Sequence, residues 1–213
     1  MSNLFYELIV FDMDGVLVDI SSSWKFVHDH FGVNNDDSLK AYLKGEIDDL
    51  EFIKRDIALW KGKKREVDKS YIENILKDVP LMPGYYKCLS TLKEIGYKTA
   101  ILSGGLKSLA IIIDDNYFDL IWANDLEEEG GRLTGKGILE VPIKEKGRVF
   151  DNLTEQMNVD AKKCVAVGNS FIDSEMVKKA ELGIAFNPSD ASIKKAADFV
   201  LEKKDLTEIL NYL

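Results

Sequence analysis

Leu8-Ile9-Val10-Phe11-Asp12-Met13-Asp14-Gly15 is the stretch that decides how this 213-residue chain is read. Four apolar residues run into two carboxylates two positions apart, and a glycine follows. A short apolar run closed by a turn signal predicts a buried β-strand. Asp12 and Asp14 then stand at its carboxyl end, where open α/β sheets bind their ligands. Residues two apart on a strand point to one side. Two carboxylates facing one space repel unless Mg²⁺ or a proton joins them. A plain strand followed by an acidic Asp-Gly turn gives the same letters, so the pair needs support from elsewhere in the chain.

Outward from this stretch the pattern alternates. Apolar runs predict strands at 98–102, 120–122, 164–167, 183–186 and 199–201. Helical periodicity predicts helices at 84–95, 106–116, 148–157, 171–179 and 206–212. Alternation of this kind predicts an α/β fold, a Rossmann-like doubly wound parallel sheet with helices on both faces. Residues 20–79 break the rule, with no strand and four helical stretches at 23–31, 38–43, 50–60 and 68–77. Leu50, Ile53, Ile57 and Trp60 recur at helical spacing and predict one apolar face. The chain therefore divides into a core of residues 1–19 and 80–213 and a small helical-bundle cap at 20–79, inserted after the first strand. Pro80 and Pro83 mark the return to the core. A short hairpin is expected near 130–139, with Glu127 to Glu129 as a turn, and Lys61 to Arg65 as a solvated loop.

Composition narrows the partners. Acidic residues outnumber basic ones 37 to 28, for a formal charge of −9. Nucleic acid and anionic membranes demand a basic face, so both are excluded as main partners. Cys88 and Cys164, the two cysteines, fall in apolar patterns, which predicts two buried thiols in a reducing cytoplasm. The first residues lack a basic, apolar leader, and no apolar run reaches membrane-spanning length.

Three later motifs accompany the aspartate pair. Ser103-Gly104-Gly105 follows a predicted strand, and a hydroxyl with exposed N–H groups there can hold phosphate oxygens. It also reads as a common turn. Lys144 and Lys146 precede a predicted helix and can offset phosphate charge, although a surface lysine is the commoner case. Gly168-Asn169-Ser170-Phe171-Ile172-Asp173 follows the strand at 164–167 and offers an amide oxygen and a carboxylate four residues apart. Ser170 capping a helix, with Asp173 in its first turn, explains the same residues without a ligand.

The order of these motifs resembles the haloacid dehalogenase superfamily over nearly the whole chain. Within it, Leu102-Ser103-Gly104-Gly105, Lys146-Gly147, and Val165 to Gly168 ahead of Asp173 are most similar to the phosphoserine phosphatase branch. The resemblance implies a phosphatase acting on a small phosphorylated metabolite. Asp12 would be the nucleophile that carries an aspartyl-phosphate, and Asp14 the acid and base. Asp14 also argues against a dehalogenase, which lacks an acid there. Ser103, Lys146, Gly104 and Gly105 would hold the phosphoryl group. Asp12, Asp14, Asn169 and Asp173 would hold Mg²⁺. Lys146 is preferred to Lys144 because the following glycine and helix match the family spacing.

Two departures stand out. Asn169 occupies a position where the branch usually has an aspartate, which predicts weaker metal binding. Ser21 stands where the branch has a glutamate for the substrate's amino group, while Asp19 offers a carboxylate nearby. Arg55 matches the arginine that holds the substrate's carboxylate, against the plainer reading of a solvated helix charge. Trp24 is either a pocket wall or core. His28 and His30, two apart on a helix, diverge and form no zinc pair. A phosphomutase or phosphotransferase with the same nucleophile is the alternative, as is a weakly active regulatory domain that binds a phosphorylated ligand. The residues set no oligomeric state.

Overall fold

The computed structural model describes residues 5–213, so the first four residues of the expected core and leader reading lie outside it. β1 (Leu8–Phe11) is followed by four helices: α1 (Ser23–Phe31), α2 (Asp36–Leu43), α3 (Asp49–Lys63) and α4 (Lys69–Leu76). Then come α5 (Tyr85–Ile95), β2 (Lys98–Leu106), α6 (Lys107–Ile113), β3 (Leu120–Glu129), β4 (Arg132–Ile138) and α7 (Lys146–Met157). The chain closes with β5 (Cys164–Gly168), α8 (Ser174–Lys179), β6 (Leu182–Phe186), α9 (Ala191–Ala196), β7 (Phe199–Leu201) and a terminal 3₁₀ segment, Leu206–Tyr212.

The seven strands lie in the order β4-β3-β2-β1-β5-β6-β7. All pairings are parallel except β3 with β4. The chain winds outward from β1 through β2 and β3, returns to β5, and winds the other way. β1, β2 and β5 therefore end side by side, which is where a doubly wound sheet opens a crevice. Phe11 pairs with Ile101 on one side and Val167 on the other, and the Asp12 N–H donates to the Val167 carbonyl at 2.9 Å.

Strand alternation builds two cores. Ile9, Phe11, Ile101, Val165 and Val167 face one layer with α5, α6 and the inserted helices. Leu8, Val10, Ala100, Leu102, Cys164 and Ala166 face the other, against α7, α8 and α9. Asp12 has the parity of Leu8 and Val10, so its side chain turns toward α7, whose first residue is Lys146.

The inserted helices begin on side-chain caps: Ser22 accepts from Lys25 N–H, Asp48 from Glu51 N–H and Asp68 from Tyr71 N–H. Ile53, Ile57 and Trp60 are buried as their spacing predicts, but Leu50 is exposed at the start of α3. The chain re-enters the core through Asp19 N–H to Pro80 O and Met82 N–H to Leu17 O.

Several expectations are corrected. Glu127 to Glu129 is strand, the end of β3, because β3 runs on past the sheet into the β4 hairpin. Lys61 is helical and donates to the Leu133 carbonyl at 2.9 Å, and Leu133 N–H donates to Val67 O. With Lys69 on Asp125, these bonds rest α3 and α4 on the hairpin. α6 is shorter than expected at both ends. β2 continues through Ser103-Gly104-Gly105 to Leu106 with a register shift, and the helix stops at Ile113, where Asp114 turns extended and accepts from Tyr117 and Phe118 N–H. α9, between β6 and β7, has no counterpart among the helices the periodicity predicts. No helix among the described residues is long and apolar enough to cross a membrane.

Candidate active site

A cavity of about 760 Å³ sits over the carboxyl ends of β1, β2 and β5, with α1, α2 and α3 as its roof. Asp12, Asp14, Ser103, Gly104, Gly105, Lys146, Asn169 and Ser21 all line it. That volume suits a small metabolite.

The two aspartates are treated differently. Asp12 Oδ1 accepts from Lys146 Nζ at 2.8 Å. Burial, then the charge of Asp173, pushes Asp12 up to about 7 against the pull of Lys146, and Asp14 adds to the rise. Asp14 Oδ2 accepts from Ser23 N–H at 2.8 Å and Ser23 Oγ at 2.9 Å. Its Oδ1 is buried with no hydrogen-bond partner among the described residues. Burial raises the Asp14 pKa in spite of the two bonds from Ser23. One carboxylate is thus tied to a cation, and the other is held by Ser23 through one oxygen with the second left unpaired.

Lys146 is 2 % exposed and bridges Asp12 and Asp173, the latter at 2.5 Å. Burial pulls its ammonium down, but the two carboxylates outweigh it and set its pKa at about 12. Lys144 instead donates to the Tyr42 carbonyl on α2 at 3.2 Å and lies over the Tyr42 ring. The lysine beside the nucleophile position is therefore Lys146.

Backbone packing sets the floor. Gly15 takes φ +79°, and a Cβ there would strike the Asn169 amide. A Cβ at Gly105 would come within 2.7 Å of Asp14 Oδ2 and Ser23 Oγ. Both positions need glycine for the motif loops to meet. Ser103 is buried, and its Oγ accepts from Gly105 N–H at 3.1 Å.

The donor set fits a divalent cation. Asp12, Asp14 and Asp173 carry two more charges than Lys146 neutralises, and Asp14 Oδ1 is orphaned. Asp12, Asp14 and Asn169, which carry carboxylate, carbonyl and amide oxygens, line the same cavity. Hard oxygen donors with surplus negative charge fit Mg²⁺. Asp173 does not fit the role expected of it. It is fully buried, with Oδ1 on Lys146 and Oδ2 accepting from Asn169 N–H and Ser170 N–H. It positions Lys146 and the loop. No cluster of three or more His, Cys, Asp or Glu side chains converges among the described residues, so backbone and amide oxygens would have to complete the shell.

The substrate-side expectations fare unevenly. Arg55 is exposed, pairs with Glu51 at 3.0 Å and does not line the cavity. Its neighbour Asp56 does, and is 3 % exposed. One residue on a helix turns a side chain by about 100°, so a register one residue off reverses the charge presented. Asp19 pairs with Lys204 and is also outside the lining. Trp24 both lines the cavity and packs: it stacks on Trp60, and its Nε1–H donates to Gly104 O at 3.1 Å. His28 is buried on Trp60 while His30 is exposed near Tyr71, so the two diverge.

Three site residues escape the sequence motifs. Ser23 joins Asp14 to the Leu106 N–H, which donates to Ser23 Oγ at 2.9 Å. Three serines in a row at a helix start, of which one suffices as the cap, are its only signal. Asn124 fixes the Gly104 loop, donating to Gly104 O and Val141 O while accepting from Glu140 and Val141 N–H. A lone amide in an apolar strand is its only mark. Asp56 is hidden beside Arg55.

Comparison with known proteins agrees with this arrangement. The model of the haloacid dehalogenase-like hydrolases matches residues 6–181. The chain belongs to that family. Phosphoserine phosphatases of Archaeoglobus fulgidus, Idiomarina loihiensis and Wolinella succinogenes are 33 %, 32 % and 30 % identical, each over 97 % of this chain. The chain spans 60 % of the first relative's length, 93 % of the second's and all of the third's. A substrate-bound phosphoserine phosphatase superposes with a TM-score of 0.81 at 28 % identity, covering 98 % of both chains. A phospho-aspartyl intermediate analogue of phosphoserine phosphatase gives the same TM-score and identity, covering 99 % of this chain and 100 % of that one.

Proposed function

We propose that this chain is a Mg²⁺-dependent phosphatase that hydrolyses the monoester of a small metabolite through an aspartyl-phosphate on Asp12. The observation that carries the reading is the contrast between Asp12, held by Lys146, and Asp14, braced by Ser23 with one buried oxygen unpaired. The family match and the phospho-aspartyl relative support it.

The Asp12 carboxylate attacks phosphorus, the ester P–O bond breaks, and the leaving oxygen takes the proton of Asp14. Water then attacks the acyl phosphate and gives a proton back to Asp14. Phosphate leaves and the Asp12 carboxylate is restored. Lys146 Nζ, Ser103 Oγ and the Gly104 N–H bind the phosphoryl oxygens as their charge redistributes. Gly105 leaves room for Asp14, and Ser23 orients it. The Asp12 carboxylate, the Asp14 backbone carbonyl and the Asn169 amide oxygen would hold Mg²⁺, which would supply the positive charge that lets a carboxylate approach a phosphate dianion. The helices of 20–79 act as a cap that excludes water and selects the leaving group. The buried free thiols of Cys88 and Cys164, pushed up to about 12 by burial, suit a reducing cytoplasm.

Asp12→Asn should abolish p-nitrophenyl phosphate turnover while circular dichroism stays native. Full activity in that variant would refute the nucleophile. Free phosphate as the product separates a hydrolase from a mutase, which would yield an isomeric phosphate ester.

A further inference from the structure

The roof of the cavity is predominantly acidic. Four aspartates line it (Asp29, Asp36, Asp49 and Asp56) against one lysine, Lys25, which pairs with Asp29 on the exposed rim. The other lining lysine, Lys146, is on the floor and belongs to Asp12 and Asp173.

Asp56 is the decisive group. Its side chain is 4 % exposed, yet no cation neutralises it. Oδ1 accepts from Asn35 Nδ2 at 3.0 Å, and Oδ2 accepts no hydrogen bond from any described residue. His28 Nε2 lies 3.3 Å from Oδ1 but makes no hydrogen bond. The Trp60 indole can only donate, and it donates to His28 Nδ1 at 2.6 Å, which ties the ring to the core rather than to Asp56. A buried carboxylate with one amide partner and an imidazole that gives it no hydrogen bond is expensive to maintain. A cation arriving in the cavity would remove that penalty.

We infer that the leaving group of the substrate is cationic and carries no carboxylate: an aminoalkyl phosphate whose ammonium pairs with Asp56. The apolar and aromatic lining of Trp24, Phe52 and Ile53 would cover its methylenes. The inference rests on the phosphatase reading for its phosphate site, and it separates this chain from the substrate named for its relatives, which bears a carboxylate. The one described lysine in the roof lining, Lys25, sits at the exposed rim paired with Asp29, away from the buried Asp56.

Binding tests the inference apart from catalysis. Calorimetry on the whole chain with Mg²⁺ compares 2-aminoethylphosphonate with 2-carboxyethylphosphonate, which share the phosphonate and differ in terminal charge. The amine should bind about tenfold tighter or better, as a charged hydrogen bond allows. Asp56→Asn should bring the two within about twofold, and Asp56→Arg should reverse the preference. Tighter binding of the carboxylate, no binding of either, or a preference that survives Asp56→Asn overturns the inference. Turnover of p-nitrophenyl phosphate is read in parallel. If it persists while the amine preference fails, the phosphatase reading stands and only the leaving-group assignment falls.

Discussion

The floor and the roof of one cavity obey different rules. On the floor every charged side chain is held by at least one hydrogen bond from another motif, with Asp14 Oδ1 buried and left without a partner among the described residues. Lys146 spans Asp12 and Asp173, Ser23 grips Asp14, and Asp173 caps the Asn169 loop. On the roof Asp56 is left with one amide and a ring that gives it no hydrogen bond, and Asp29 and Asp36 sit at an open rim. The floor must hold reacting atoms to fractions of an ångström, so few substitutions are compatible with its chemistry. The roof only has to favour one leaving group over another, a difference of affinities that one side chain can reverse.

The contrast breaks hardest at Lys146. Lys146→Met leaves Asp12 and Asp173 buried without a cation, at a cost of about 3–5 kcal/mol at neutral pH, together with loss of turnover. The folded Asp12 pKa already lies above its unfolded value, and removing the lysine raises it further. A group raised in the fold binds more protons there, so stability falls as pH rises from the unfolded value toward the folded one. The wild type gains in this way only below its own value of about 7 and the variant from a higher pH, so the variant's deficit should shrink as pH falls toward 7 and change little below it, measured by urea unfolding in EDTA. A deficit that is constant with pH would show that the lysine acts through packing.

Asn169→Asp sharpens the comparison from within the floor. It adds a carboxylate beside Gly15 where the wild type presents an amide. Mg²⁺ affinity should rise about tenfold, seen by calorimetry and as a larger metal-induced gain in Tm. Unchanged or weaker binding would show that the amide oxygen costs nothing. The smallest effect belongs to Arg55→Ala. An exposed i,i+4 partner of Glu51 contributes under about 0.5 kcal/mol, and kcat/KM should stay within about twofold of wild type for every ester tested. A selective loss on carboxylate-bearing esters would return Arg55 to the binding site.

The floor is legible in the letters because its residues sit at strand ends, and apolar runs locate strand ends well. Lys146 is harder, since Lys144 differs from it only in which way the helix start turns. The roof misleads at Arg55 because helical phase, unlike a strand end, leaves no punctuation in the letters. Ser23 and Asn124 act by bonding backbone from distant parts of the chain, which no local pattern encodes. The charged end of β3 looks like a turn because it leaves the sheet core and pairs in a largely exposed hairpin.

Ser23 also shows that the walls of the chamber are held unequally. Ser23 and Trp24 nail α1 to the end of β2, and the hairpin props α3 and α4. α2 has lighter moorings: the Lys144 bond to Tyr42, the Tyr42 hydroxyl on Asp49, and the Asn35 amide on Asp56 just before it. α2 is therefore the least tethered wall of the chamber, and the Asn35 amide that helps hold it is seated on the same carboxylate that a cationic leaving group would meet.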